Sequence, residues 1–234
     1  MKKQLGHVSA LARYPIKSMA GIATDSAIVG WHGLEGDRRF AFRKLGDASG
    51  FPWLTASRVP ELLLYHPVGG EEPTHVRTPS GSELELRGEE LDREIGARLG
   101  SRVELMKMRQ GIFDDASISV ITRATMAKIS DDAGVPFDAR RFRANIVVET
   151  HDAEPFEEDG WIGARLVIGE SAVVSLTARD VRCMMINLDP DTAVQDARMM
   201  KSVVRLNENN AGAYGTVVQT GTIRVGDPVS LLTS

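Results

Sequence analysis

The stretch Leu176-Thr-Ala-Arg-Asp-Val-Arg-Cys-Met-Met-Ile-Asn-Leu-Asp-Pro-Asp-Thr192 reads as a strand running into a turn, and it carries the only cysteine of the chain. Val173, Val174, Leu176 and Thr177 supply a β-branched and apolar run, and Asp189-Pro190-Asp191 supplies turn chemistry. Cys183 is therefore predicted where an extended segment meets a loop, a common position for a reactive group. Arg182 adjoins it and Arg179 lies four residues back. Guanidinium charge favours the thiolate, the form that attacks electrophiles and binds soft metals. The competing reading is a buried, inert thiol, because free cysteine is among the most buried residue types.

Strand signals of the same kind recur outward from this stretch. Toward the N-terminus they fall at residues 8–13, 27–29, 38–43, 62–66, 74–78, 83–87 and 103–108, separated by Gly, Pro and acidic turns. In the second half of the chain they fall at 114–122, 140–148, 165–168 and 172–177, and beyond the stretch in two strands joined at Gly221 and a last one after Gly226-Asp-Pro228. Helical periodicity appears three times. Leu91, Ile95 and Leu99 share a face behind an acidic first turn and stop at Gly100; residues 124–133 stop at Gly134 and Pro136; and Val194, Ala197, Lys201 and Val204 mark one face of a third helix. The predicted fold is mostly β, with a domain boundary at the loop around Arg109, giving residues 1–108 and 109–234.

Composition narrows the function classes. The chain has 234 residues, 42% of them hydrophobic, enough for one large or two modest cores. A net charge of -4 gives no overall pull toward nucleic acid or an anionic membrane, so any anion site must be local. A single cysteine excludes an internal disulfide and any zinc or iron-sulfur site needing several thiolates from this chain, so electrons, if used, arrive from a partner. No long uncharged apolar run is present, and the chain is expected to be cytoplasmic, with no membrane partner. His7, His32, His66, His75 and His151 lack metal-ligand spacing. His151 or His32 could reach Cys183 only by folding, so a Cys-His hydrolase has no local support.

Basic residues cluster in places that suit an anion. Pro15 interrupts the first strand, leaving Lys17 and Ser18 on a loop. Arg38 alternates onto the face of Phe40 and Phe42, where it needs either Asp37 or an anionic ligand as partner. Arg141, Arg143 and Asn145, two apart, would share one face of a strand, as an anion site or as a charged sheet edge. With Arg182, these residues suit a phosphate, whose oxygens match arginine forks.

Tyr14-Pro-Ile-Lys-Ser18 with Gly33-Leu-Glu-Gly-Asp-Arg38 resembles the N-terminal β-barrel domain of the MOSC family. Arg141-Phe-Arg-Ala-Asn-Ile-Val147, Val181-Arg-Cys183, Asp189-Pro-Asp-Thr192 and Gly221-Thr-Ile-Arg-Val-Gly-Asp-Pro-Val229 resemble the MOSC domain itself. The resemblance covers nearly the whole length, and its motifs come in family order. It implies an N-terminal β-barrel-like domain packed on a C-terminal MOSC β-barrel with a few peripheral helices. Within the family the pattern is similar to the amidoxime-reducing components, which reduce N-hydroxylated compounds at a molybdenum cofactor. By that resemblance Cys183 is the thiolate ligand of molybdenum and the catalytic residue, and Lys17, Ser18, Arg38, Arg141, Arg143, Asn145 and Arg182 hold the pterin and its phosphate. The implied partners are a small N-hydroxylated substrate and a separate electron donor of ferredoxin, flavoprotein or cytochrome type. A sulfur carrier using a Cys183 persulfide and a non-catalytic cofactor-binding protein are the alternatives. The sulfurase kinship also brings a pyridoxal phosphate association, for which no lysine here has a Schiff-base context. Val181 stands where relatives often have Ser, which removes one hydroxyl contact.

Overall fold

The structure, a computed structural model, describes residues 2–233. In chain order the elements are β1 (Lys2–Arg13), β2 (Ile22–Thr24), β3 (Ser26–Gly30), β4 (Gly33–Leu34), β5 (Phe40–Lys44), β6 (His66–Gly69), β7 (Pro73–Arg77), β8 (Glu83–Glu85) and α1 (Glu89–Leu99). They continue with β9 (Val103–Lys107), β10 (Ile118–Thr122), α2 (Arg123–Ala133), β11 (Ile146–Thr150), β12 (Arg165–Ile168), β13 (Ala172–Val181), α3 (Arg198–Asn207), β14 (Asn210–Gln219), β15 (Gly221–Arg224) and β16 (Pro228–Leu232). The protein is mostly β, as its strand signals predict.

Seven strands close on themselves in the order β1, β11, β10, β14, β13, β12, β16, and β16 returns to β1. Closure follows from alternation. Val8 and Leu11 on β1, Val174 and Leu176 on β13, and Leu166 and Ile168 on β12 all point into one cluster with Ile118, Val120, Ile146 and Val229. Burying each such side chain contributes roughly 1.5–3 kcal/mol. The division expected at residue 108 is crossed by β1, because the N-terminal strand completes the barrel built by the second half, and β3 pairs with β15. A second cluster joins Phe40, Phe42, Leu54, Leu62, Tyr65, Leu91, Ile95 and Val103 from the small sheets β5–β9 and β6–β7–β8 and from α1. A third packs α2 and α3 on the barrel through Met126, Ile129, Met199 and Val203. The 3-10 helix Met184–Asn187 is wedged among them: Met184, Met185 and Leu188 pack on the second cluster and Ile186 in the third.

Several local expectations are corrected. Residues 62–66 do not form a strand: Pro60 opens a 3-10 helix, Pro60–Leu64, because its fixed φ suits a first helical position. The strand expected at 38–43 begins only at Phe40, since Arg38 has φ 48°. The strand expected at 140–148 begins at Ile146; the Asp138 side chain caps a 3-10 helix, Ala139–Phe142, which Arg143 ends with φ 53°. The third helix buries Met199, Ser202 and Val203, not the expected face: Val194 lies before the helix and Val204 is 53% exposed. Met199 and Val203, four apart, reach the third cluster, which fixes the helix rotation.

Candidate functional site

A cleft of about 560 Å³ opens where these clusters meet, between the end of β13, the loop after β1 and residues 51–58. Its basic lining contains Lys17, Arg38, Lys44, Arg58, Arg143 and Arg182, with Asp114, Ser119, Asp180 and Tyr214 among them. Ser18, Arg38 and Arg143, all at the cleft, are non-glycine residues with φ of 67°, 48° and 53°. Left-handed backbone costs an ordinary residue of order 1–3 kcal/mol and persists where the surroundings impose it, often at functional sites.

Cys183 is exposed at this cleft, directly after β13 and at the start of the 3-10 helix. The strand-to-loop position read from the sequence is observed, and the thiol is exposed rather than buried. Arg179 plays no part: it turns to Asp159 and Glu208, both at 3.5 Å. Arg182 lines the cleft, donating from Nη1 to Asp180 at 2.6 Å and from Nη2 to the Phe142 carbonyl. Its Nε is buried without a hydrogen-bond partner among the described residues. Asp180 is buried, and burial pushes its carboxyl above the ordinary range although Arg182, Ser119 and Tyr214 pull it down.

Arg143 differs from Lys17, Arg38 and Arg182 in its partners. It donates from Nη1 to the Met19 carbonyl at 2.8 Å and its guanidinium lies 4.3 Å from the Tyr14 ring centre, yet it makes no ion pair among the described residues. Burial pulls it down to about 10, so it stays charged at neutral pH. Lys17, by contrast, reaches Asp114 at 2.6 Å, and Arg38 pairs with Asp37, the protein-side partner considered for it from sequence. Burial lowers the Lys17 ammonium, with Asp114 opposing that shift.

Two expected ligand residues do not line the cleft. Arg141 is 6% exposed and pairs with Asp189 at 2.6 Å, with a longer bond to the Asn187 carbonyl at 3.4 Å. Asn145 is satisfied inside the protein. Its Oδ1 accepts from Ser119 N at 3.1 Å and its Nδ2 donates to Asp37 at 3.1 Å and to the Ala12 carbonyl at 3.3 Å. Neither shares a strand face with Arg143, because the backbone from 139 to 143 is helical and then left-handed. The cleft also holds residues the sequence reading passed over: Asp180, Ser119, Tyr214, and the 51–58 wall. That wall had a legible signal. Leu54 and Ala56 are buried while Phe51, Trp53 and Thr55 line the cleft, the period of an extended chain, which runs beside β5 through Lys44 N to Pro52 O and Leu54 N to Phe42 O.

The molecule is thus a closed β-barrel protein with a single exposed thiol beside a cluster of partly buried arginines. The chain belongs to the MOSC family: the MOSC domain matches residues 97–230 and the MOSC N-terminal beta barrel domain matches residues 5–117. It is 26% identical to mitochondrial amidoxime reducing component 2 of Bos taurus over 286 aligned positions, covering 97% of this chain and 83% of the relative. It is 29% identical to mitochondrial amidoxime-reducing component 1 of Homo sapiens over 51% of this chain and 38% of the relative. The YuaD protein of Bacillus subtilis shares the fold, with a TM-score of 0.56 at 16% identity, over 99% of this chain and 98% of that one. No helix among the described residues is long and apolar enough to cross a membrane.

Proposed function

We propose that the cleft binds a molybdenum cofactor and that the protein reduces N-hydroxylated compounds with electrons from a separate redox protein. The observation that carries this reading is Arg143, a half-buried guanidinium with no carboxylate partner among the described residues, in one cleft with an exposed Cys183. A partly desolvated charge without a carboxylate beside it favours an anionic ligand. The unpartnered Nε of Arg182 fits the same need. Arg143, Arg182, Lys17, Ser18 and Arg38 would hold the phosphate and pterin, and Cys183 would give molybdenum its protein thiolate. Arg141 and Asn145 would act from behind, through Asp189 and Asp37. When bound, that cofactor supplies two-electron oxygen-atom chemistry. The chain's own part is to fix the anionic end, present a soft ligand, and leave the outer cleft for substrate. The amidoxime-reducing names of the relatives support the substrate class, and the single cysteine supports an external electron source.

The test is reduction of benzamidoxime by protein purified from a cofactor-competent host, with a chemically reduced donor. Molybdenum-dependent turnover is expected. A molybdenum-free protein carrying cyanide-releasable sulfur on Cys183 would replace this reading with the sulfur-carrier one.

A further inference from the structure

The charges of the cleft do not cancel evenly. Of its six cations, Lys17 is paired with Asp114, Arg38 with Asp37, Lys44 with Asp47 and Arg182 with Asp180. Two guanidinium groups are left without an ion pair among the described residues. One is Arg143, half-buried against the Tyr14 ring. The other is Arg58, which is exposed and has no side-chain hydrogen bond, ion pair or ring contact among them. If Arg143 serves the cofactor anion, Arg58 remains for the substrate.

The surface around Arg58 has a definite chemistry. The extended run Phe51, Trp53 and Thr55 faces the cleft and presents two aromatic rings, Phe51 being 47% exposed. The turn that closes through Arg58 N to Thr55 O at 3.0 Å then sets Arg58 at the end of that wall. Met184 and Met185 line the cleft beside Cys183, and methionine adapts to flat ring edges. Aromatic rings with an unpaired guanidinium at one end suit a planar ligand bearing an anionic group away from its reacting end.

We infer that this outer wall selects aromatic N-hydroxylated substrates that carry a carboxylate, with Arg58 as the specificity-determining residue and Phe51 and Trp53 as the ring platform. The inference rests on the proposed reductase reading for the reaction, and on the wall alone for the preference. The ion pair forms at an exposed position, so its effect is modest: roughly a two- to fivefold preference for the carboxylate, the scale of exposed pairs at their stronger end.

The experiment compares 4-carboxybenzamidoxime with benzamidoxime on protein from a cofactor-competent host. Both calorimetric affinity and kcat/KM are measured, for the wild type, Arg58→Gln and Arg58→Glu. The carboxylate is expected to bind roughly two- to fivefold more tightly to the wild type, with the ratio near unity in Arg58→Gln and inverted in Arg58→Glu, while molybdenum content stays at the wild-type level. Equal affinities in the wild type, a ratio unmoved by Arg58→Gln, or loss of molybdenum from that variant would overturn the assignment. Calorimetry reads the preference without turnover, so failure of the reductase reading leaves a measurable answer.

Discussion

Arg141 donates from Nη2 to a carboxylate oxygen of Asp189 at 2.6 Å, and this pair ties the segment after Cys183 to the segment before Arg143. Asp189 in turn accepts from the backbone N–H groups of Asp191 and Thr192 at 3.1 and 3.0 Å, and Arg140 grips Asp191 at 2.6 Å. Burial opposes the Asp189 charge, yet these donors and Arg141 hold its carboxyl below the usual range. The two arginines next to Arg143 thus fix the backbone that presents the cleft.

Arg141→Ala is expected to destabilise the fold by about 1–3 kcal/mol, since it strands Asp189, though water reaches that carboxylate and softens the loss. Urea unfolding checks it. A variant of unchanged stability that nonetheless loses its cofactor would make Arg141 a direct ligand instead.

Closure of the barrel depends on Gly6. A Cβ there would lie 2.0 Å from the Glu149 carbonyl oxygen and 2.7 Å from the Thr150 Cα, both backbone atoms of β11. Gly6→Ala must push the two strands apart, and a loss of at least about 2 kcal/mol is expected, as for overpacked interiors. An unchanged unfolding midpoint would mean that the β1–β11 pairing contributes little.

Glu158 gives a pH signature independent of the cleft. Its carboxylate is fully buried and accepts from the Thr122 and Thr125 hydroxyls at 3.0 and 2.9 Å, with no cation paired to it among the described residues. Burial raises its pKa, against the pull of those hydrogen bonds. A folded value above the unfolded one stabilises below the ordinary carboxylate range, and that contribution is lost as pH rises through the folded value. Glu158→Gln should therefore gain stability relative to the wild type as pH rises above the ordinary carboxylate range, in unfolding curves recorded from acid to mildly alkaline pH. A constant difference across those curves would remove Glu158 as a titrating group.

Much of the barrel was legible because alternation survives in sequence: residues 165–168 coincide with β12, and α1 and α2 end at Gly100 and Gly134 in left-handed caps. The site was legible only in part. Lys17, Ser18, Arg38, Arg143, Arg182 and Cys183 do meet in one cleft. Arg141 and Asn145 do not, because spacing says which residues share a strand only where a strand exists, and a capped 3-10 turn replaces it here. Asp180 was passed over for a different reason. It sits on β13 like any alternating residue, and only its contacts with Arg182 and Ser119 across the fold give it meaning.

The most direct measurement is molybdenum and pterin content beside turnover for the wild type, Arg143→Ala and Cys183→Ala, all purified from a cofactor-competent host. Losing Arg143 removes a charge-assisted contact of roughly 1.5–3 kcal/mol, about 10- to 150-fold in affinity, so cofactor content and turnover should fall together. Losing Cys183 removes one contact among many, so pterin should be largely retained while turnover vanishes. Normal cofactor content and turnover in Arg143→Ala, or a fully active Cys183→Ala protein, would contradict the assignment of this cleft.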